Sequence, residues 1–213
     1  GKDLAKQLDV PYYLGFKAEE RKPQFEYNPI EDGEKIEFGD VEIKALHTPG
    51  HTSEMTSYQI NNEAIITGDA LFVESIGRTE LEFGGEEAIK GAEMQYESIK
   101  TITNNPENMK VLPSHFTVTS EGEYVDVTPG KPIYSTIKYL KQNSKPLNME
   151  KQEFVNYISD NLPTKPPNYE EIIAANTGAK KIKNEKEAIK LELGPNRCAA
   201  SEESMVEQKV ETK

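Results

Sequence analysis

The chain contains three histidines, His47, His51 and His115, and each lies in or beside a turn that follows a short apolar run. Val41-Glu42-Ile43-Lys44-Ala45-Leu46 leads into His47-Thr48-Pro49-Gly50-His51, and Val111-Leu112 leads into Pro113-Ser114-His115. Another run, Ala64-Ile65-Ile66-Thr67, ends at Gly68-Asp69. Strands fix the direction of approach, and Pro or Gly lets the backbone bend so that the next side chain points into one crevice. Neutral imidazole and carboxylate are donors that Zn, Fe(II) and Mn accept. A carboxylate closing a buried apolar strand with no cation beside it needs a partner, which sets Asp69 apart from an ordinary turn residue. We therefore expect His51, Asp69 and His115 to act as metal ligands, with His51 and Asp69 at the chemistry. His47, four residues earlier and on or next to the strand, is expected to be structural or to support the ligands from behind. Two histidines and a carboxylate can be the facial triad of a non-haem iron site or part of a two-metal set, and both remain open here.

The elements that would position these residues follow from periodicity. Ile36-Glu37-Phe38 and Val41 to Ala45 alternate around Gly39-Asp40, and Thr56 to Ile60 faces Glu63 to Thr67 across Asn61-Asn62, so two hairpins are expected. Helical spacing predicts helices over Asp3–Leu8, Glu86–Thr103, Lys131–Lys141, Lys151–Asn161 and Asn168–Asn176. Short strands are expected at Val10–Leu14 and Lys110–Leu112, with a charged, turn-rich surface loop over 17–34 and a polar loop over 117–131. Strands alternating with helices indicate an α/β class, and the hairpins argue against a purely parallel sheet. We divide the chain into a domain over 1–179 and a charged, flexible extension over 180–213 rich in Lys and Glu, with Ser201 to Lys213 disordered.

Composition narrows the function. Of 213 residues only 35% are apolar, and 25 basic against 37 acidic side chains give a net charge of −12. Such a chain repels phosphate backbones, so no nucleic-acid partner is expected. No apolar run approaches the roughly 20 residues of a membrane span, and no secretory signal opens the chain. The single cysteine, Cys198, leaves no internal disulfide and no Cys-based zinc site; an inert thiol and a reducing cytoplasm are expected. There is no GxGxxG or GxxxxGK[ST] phosphate loop. The chain opens at Gly1 inside a helix–strand unit, and we expect a preceding part to be missing.

At His47-Thr48-Pro49-Gly50-His51-Thr52-Ser53-Glu54 the sequence resembles the metallo-β-lactamase superfamily, and Thr67-Gly68-Asp69-Ala70-Leu71-Phe72 and Pro113-Ser114-His115 agree in order and spacing. Gly68 to Val73 followed by Gly77-Arg78-Thr79-Glu80-Leu81 is similar to the branch of glutathione-persulfide dioxygenases and rhodanese-associated lactamase-fold proteins. Leu162 to Pro166, Ala174 to Gly178 and Gly194 to Ala199 resemble that branch's C-terminal region, so the match runs over about 1–200. The resemblance implies the C-terminal part of an αββα sandwich with extra C-terminal helices. It also implies that His51 and Asp69 are iron ligands of the dioxygenase type, and that Arg78 lies near the glutathione site. In two-zinc relatives Asp69 would bridge the metals and His115 bind the second, whereas in the dioxygenases His115 would stand near the iron without binding it. The H-x-H-x-D-H motif of the superfamily is absent from the chain, and Phe116-Thr117 replace the acidic residue and tyrosine of the dioxygenases.

Three activities follow from the resemblance. The first is oxidation of a glutathione-type persulfide to sulfite with Fe(II) and O2. The second is thioester hydrolysis of the glyoxalase II type on one or two Zn ions. The third is an inactive or partial binding module that lacks the H-x-H-x-D-H ligands. The expected partners are a small thiol-derived substrate and either a second copy of the chain or a rhodanese-type protein, with no membrane.

Overall fold

The two hairpins form where alternation and the Gly39-Asp40 and Asn61-Asn62 turns predict them. In the computed structural model, which describes residues 1–73, 75–82, 88–115, 130–160, 166–192 and 199–200, β3 (Lys35–Phe38) pairs antiparallel with β4 (Val41–His47), Ile36 facing Ile43. β5 (Thr56–Ile60) pairs antiparallel with both β4 and β6 (Ala64–Gly68). β8 (Lys110–Pro113) lies parallel to β6, and β9 (Ser135–Thr136) closes a six-stranded sheet of order β3-β4-β5-β6-β8-β9. Because β4 and β6 are both antiparallel to β5, and β8 is parallel to β6, the ends of β4, β6 and β8 emerge at one edge.

Helices cover one face of that sheet. α2 (Ala88–Thr103) and α4 (Lys151–Asp160) pack together, joined by α3 (Ile137–Asn143), over Ile65 and Val111. Burying apolar side chains such as Phe154, Ile102 and Leu140 contributes about 1.5–3 kcal/mol each. The alternate face is less covered, and Ile66, between buried Ile65 and Thr67, stays 40% exposed.

The N-terminal part is more regular than its sequence implies. α1 (Lys2–Leu8) is followed by β1 (Tyr13–Gly15), and residues 17–34, read as a surface loop, hold all but the first residue of a 3-10 helix at Phe16–Arg21 and also β2 (Asn28–Ile30). β2 pairs parallel with β1, Leu14 opposite Pro29. Short strands with few apolar residues carry no periodic signal, and a partner far along the chain supplies the hydrogen bonds. Towards the C-terminus come α5 (Tyr169–Asn176) and α6 (Glu185–Glu192), the latter inside the segment read as a flexible extension. Lys180 bridges Glu171 of α5 and Glu187 of α6. β7 (Ile76–Gly77) pairs antiparallel with β10 (Ala199–Ala200). The expectations for Glu86 and Glu87, for 117–129, for Phe116, for Pro163, for Cys198 and for Ser201 to Lys213 lie outside the described residues.

Candidate metal centre

His51, Asp69 and His115 sit at the shared strand edge. The parallel register sets Gly68 opposite Pro113, and Ser114 donates its backbone N–H to the Gly68 carbonyl at 3.1 Å, so Asp69 and His115 leave the sheet side by side. Gly68 adopts φ +56°, a left-handed turn that glycine makes without strain. Asp69 then takes one imidazole on each oxygen: His115 Nδ1 lies 2.6 Å from Oδ1 and His51 Nε2 lies 3.4 Å from Oδ2. His51 is buried, the Asp69 side chain is 14% exposed and that of His115 57%.

The His51 ring is oriented from behind. Its Nδ1 lies 2.8 Å from the Arg78 carbonyl, which can only accept, so Nδ1 carries a proton and Nε2 is the nitrogen that faces Asp69. Its backbone N–H donates to Gln95 Oε1 at 2.9 Å, and Gln95 Nε2 donates to the Ala70 carbonyl. The loop before it is held by Ser98 Oγ donating to the Pro49 carbonyl at 2.6 Å and by Thr48 N–H donating to the Met55 carbonyl at 2.9 Å.

His47 is not brought to this cluster. Its Nε2 is 2.9 Å from the Ser53 carbonyl, and its ring meets Phe16 edge-on with centroids 5.2 Å apart. Arg78 is fully buried; its Nε donates to Glu80 Oε1 at 2.6 Å and Nη2 reaches the same oxygen. Its guanidinium does not line the cavity next to the cluster, and what it gives His51 is its carbonyl.

That cavity, of about 520 Å³, is lined by His51, Asp69 and His115. Ile172 and Ile173 of α5 and Ala188 and Leu191 of α6 line it as well. Arg21 ties this cover to the site loop: its Nε and Nη2 donate to the two carboxylate oxygens of Glu54 at 2.7 and 3.1 Å, and it also pairs with Glu82, whose Oε2 accepts the Ser53 N–H at 2.8 Å. Tyr169, at the start of α5, lines the cavity and lies against Arg21. Burial raises its phenol pKa, and the Arg21 charge opposes that rise. Gln95, Arg21 and α6 were not singled out from the sequence, and α5, expected as a helix over Asn168–Asn176, carried no expectation of lining the site. For Gln95 a signal existed: a polar residue on the buried stripe of a helix has to find partners inside.

Two donors sharing an ion at about 2.1 Å and a tetrahedral angle stand about 3.4 Å apart. His51 Nε2 and Asp69 Oδ2 have that separation, 3.4 Å, whereas His115 Nδ1 is at direct hydrogen-bond distance from the other oxygen. Among the described residues no group of three or more His, Cys, Asp or Glu is arranged to hold an ion by itself. The donor set therefore fits one edge of a metal shell, not a closed shell.

The mixed sheet and its strand-end cluster define an α/β protein that presents metal-type donors from successive strand ends. The chain belongs to the metallo-β-lactamase superfamily, whose family model matches residues 4–115. Members of that superfamily bind metal ions. The chain is 29% identical over 150 residues to "Persulfide dioxygenase ETHE1, mitochondrial" of Bos taurus, covering 69% of this chain and 52% of that one. It is 28% identical over 126 residues to "Glyoxylase B2" of Dictyostelium discoideum, covering 58% of this chain and 39% of that protein. Among solved structures, a metallo-beta-lactamase from Staphylococcus aureus superposes with TM-score 0.71 at 21% identity, covering 85% of this chain and 55% of that one. The chain thus spans about half the length of these relatives or less. Among the described residues no helix is long and apolar enough to cross a membrane.

Proposed function

We propose that the chain carries the His51–Asp69–His115 part of an Fe(II) centre in a persulfide dioxygenase-like enzyme. The substrate is a persulfide of a small thiol of the glutathione type, and the site works in the cytoplasm. The supporting observation is that one carboxylate, Asp69, gathers two imidazoles at the mouth of a cavity, with His51 Nε2 3.4 Å from Oδ2.

His51 Nε2 and Asp69 Oδ2 would hold the ion. When bound, iron supplies a site for dioxygen and for the outer sulfur. The net reaction takes one persulfide, one O2 and one water to one thiol, one sulfite and two protons; the outer sulfur is oxidised and dioxygen reduced. Asp69 contributes negative charge beside the ion, which favours its oxidised form. His115 holds a proton at Nδ1 against Asp69, and the Arg78 carbonyl keeps the His51 proton away from the ion. Ile172, Ile173 and Leu191 line the same cavity, exclude water there and present apolar surface to the thiol body.

The relative named as a glyoxylase favours a second reading, zinc-dependent thioester hydrolysis, in which a metal-held water has its pKa lowered to about 7. Metal analysis with two assays separates these. Iron, with oxygen uptake and sulfite release on glutathione persulfide, is the expected result. Zinc with S-lactoylglutathione cleavage supports the hydrolase. Absence of both metals and both activities leaves a binding module and overturns the proposal.

A further inference from the structure

Gln95 is fully buried on α2, one turn from Ala92 and Ile99 on the helix face that packs into the core. A buried primary amide has to satisfy a donor and an acceptor at once. It uses both on the candidate centre. Oε1 accepts the backbone N–H of His51 at 2.9 Å, and Nε2 donates to the carbonyl of Ala70, the residue after Asp69.

We propose that Gln95 is a positioning residue whose single planar amide fixes the spacing of His51 and Asp69. The inference rests on the metal-centre reading only for its consequence; the clamp itself is geometric. An amide is rigid, so two backbones hydrogen-bonded to its two ends are held at one separation. The turn is cut to receive it. Gly50 has φ +144°, and a Cβ there would lie 2.2 Å from Gln95 Oε1 and 2.6 Å from Gln95 Cα. Only glycine lets the helix approach closely enough for the His51 N–H to reach the amide. From the other side Gly77 does the same: a Cβ on it would lie 1.9 Å from the Asp69 carbonyl and 3.2 Å from His51 Nδ1. The two ligand-bearing turns are therefore held between α2 and β7, and the amide is the one side-chain group bonded to both of them among the interactions described.

The test compares Gln95→Met, which keeps the volume and loses both hydrogen bonds, with Gln95→Glu, which keeps the acceptor for His51 and loses the donor to Ala70. Ile102→Val, a core change on the same helix, is the stability control. All are made in the full chain and read in two ways: hydrogen exchange at the His51 amide, and Fe(II) and Zn(II) affinity per folded molecule. The expected result is at least tenfold faster His51 amide exchange in Gln95→Met, with near-normal exchange in Gln95→Glu and Ile102→Val. Metal affinity is expected to fall about 10–100-fold in both Gln95 variants and less than twofold in Ile102→Val. Unchanged His51 exchange in Gln95→Met overturns the clamp. Faster exchange with unchanged metal affinity overturns the positioning role. If the parent chain takes up neither metal, the metal-centre reading fails, and exchange alone decides whether Gln95 holds the turn. If Gln95→Met does not fold, Gln95→Glu carries the comparison.

Discussion

The Arg78 carbonyl accepts the Nδ1–H of His51 at 2.8 Å, and through that bond the residue that follows β7 decides which nitrogen of His51 faces Asp69. The carbonyl is in place because Gly77 lies flat against the Asp69 backbone, where no side chain fits. His51 orientation, Asp69 placement and the passage of β7 are thus one arrangement, and its parts can be tested separately.

The two histidines of the His-Thr-Pro-Gly-His turn should separate cleanly. His51→Ala is expected to lower metal affinity at least tenfold. His47→Gln should leave metal content unchanged and cost about 1 kcal/mol through loss of the Ser53 carbonyl contact. Metal per chain after dialysis, with a urea midpoint for each, reads both. Metal loss in His47→Gln would contradict the structural role given to that residue.

Gly77→Ala should be severe, since the new Cβ would meet the Asp69 carbonyl oxygen at 1.9 Å. A cost of about 3 kcal/mol or more is expected, together with displacement of Asp69. Gly33→Ala, with nothing within 4 Å but φ +78°, should cost only about 1 kcal/mol of backbone strain. Equal urea midpoints for the two variants would disprove the close approach.

Arg78→Ala removes a fully buried guanidinium and leaves Glu80 without it. Uncompensated charge of this kind costs about 3 kcal/mol. The expected signature is a lower melting temperature, with the catalytic parameters of the folded fraction little changed. A raised KM at unchanged stability would instead place the guanidinium on the substrate.

Alkaline pH should weaken the fold through Tyr58. Burial, first, and then the neighbouring Tyr12 raise its phenol above the ordinary 10.0, against a backbone hydrogen bond from Gly15 that acts the other way. The unfolded chain therefore loses this proton at lower pH than the folded one. Stability attributable to Tyr58 is whole below pH 10 and is lost as pH rises from there through the folded pKa. Tyr58→Phe should show a shallower alkaline fall in a denaturation series from pH 8 to 11, and an identical slope in the two proteins would count against it.

Local chemistry was legible in the sequence. Alternation and Asn61-Asn62 gave the β5–β6 hairpin, helical spacing gave α2 and α4, and the Pro and Gly turns marked where His51, Asp69 and His115 leave their strands. These features depend on residues a few positions apart, so a short window contains their cause. Which imidazole meets which oxygen of Asp69 was set by the parallel pairing of β6 with β8, a contact between residues 46 positions apart. Gln95 reads as an interruption of an apolar stripe until the helix docks and its amide finds two turns. Arg78 is fully buried with its guanidinium against Glu80 and its carbonyl on His51, two partners that its neighbours in the sequence do not announce. Periodicity and turn propensity are properties of the chain itself; the partner of a buried polar group is a property of what packs against it, and only the tertiary structure supplies that.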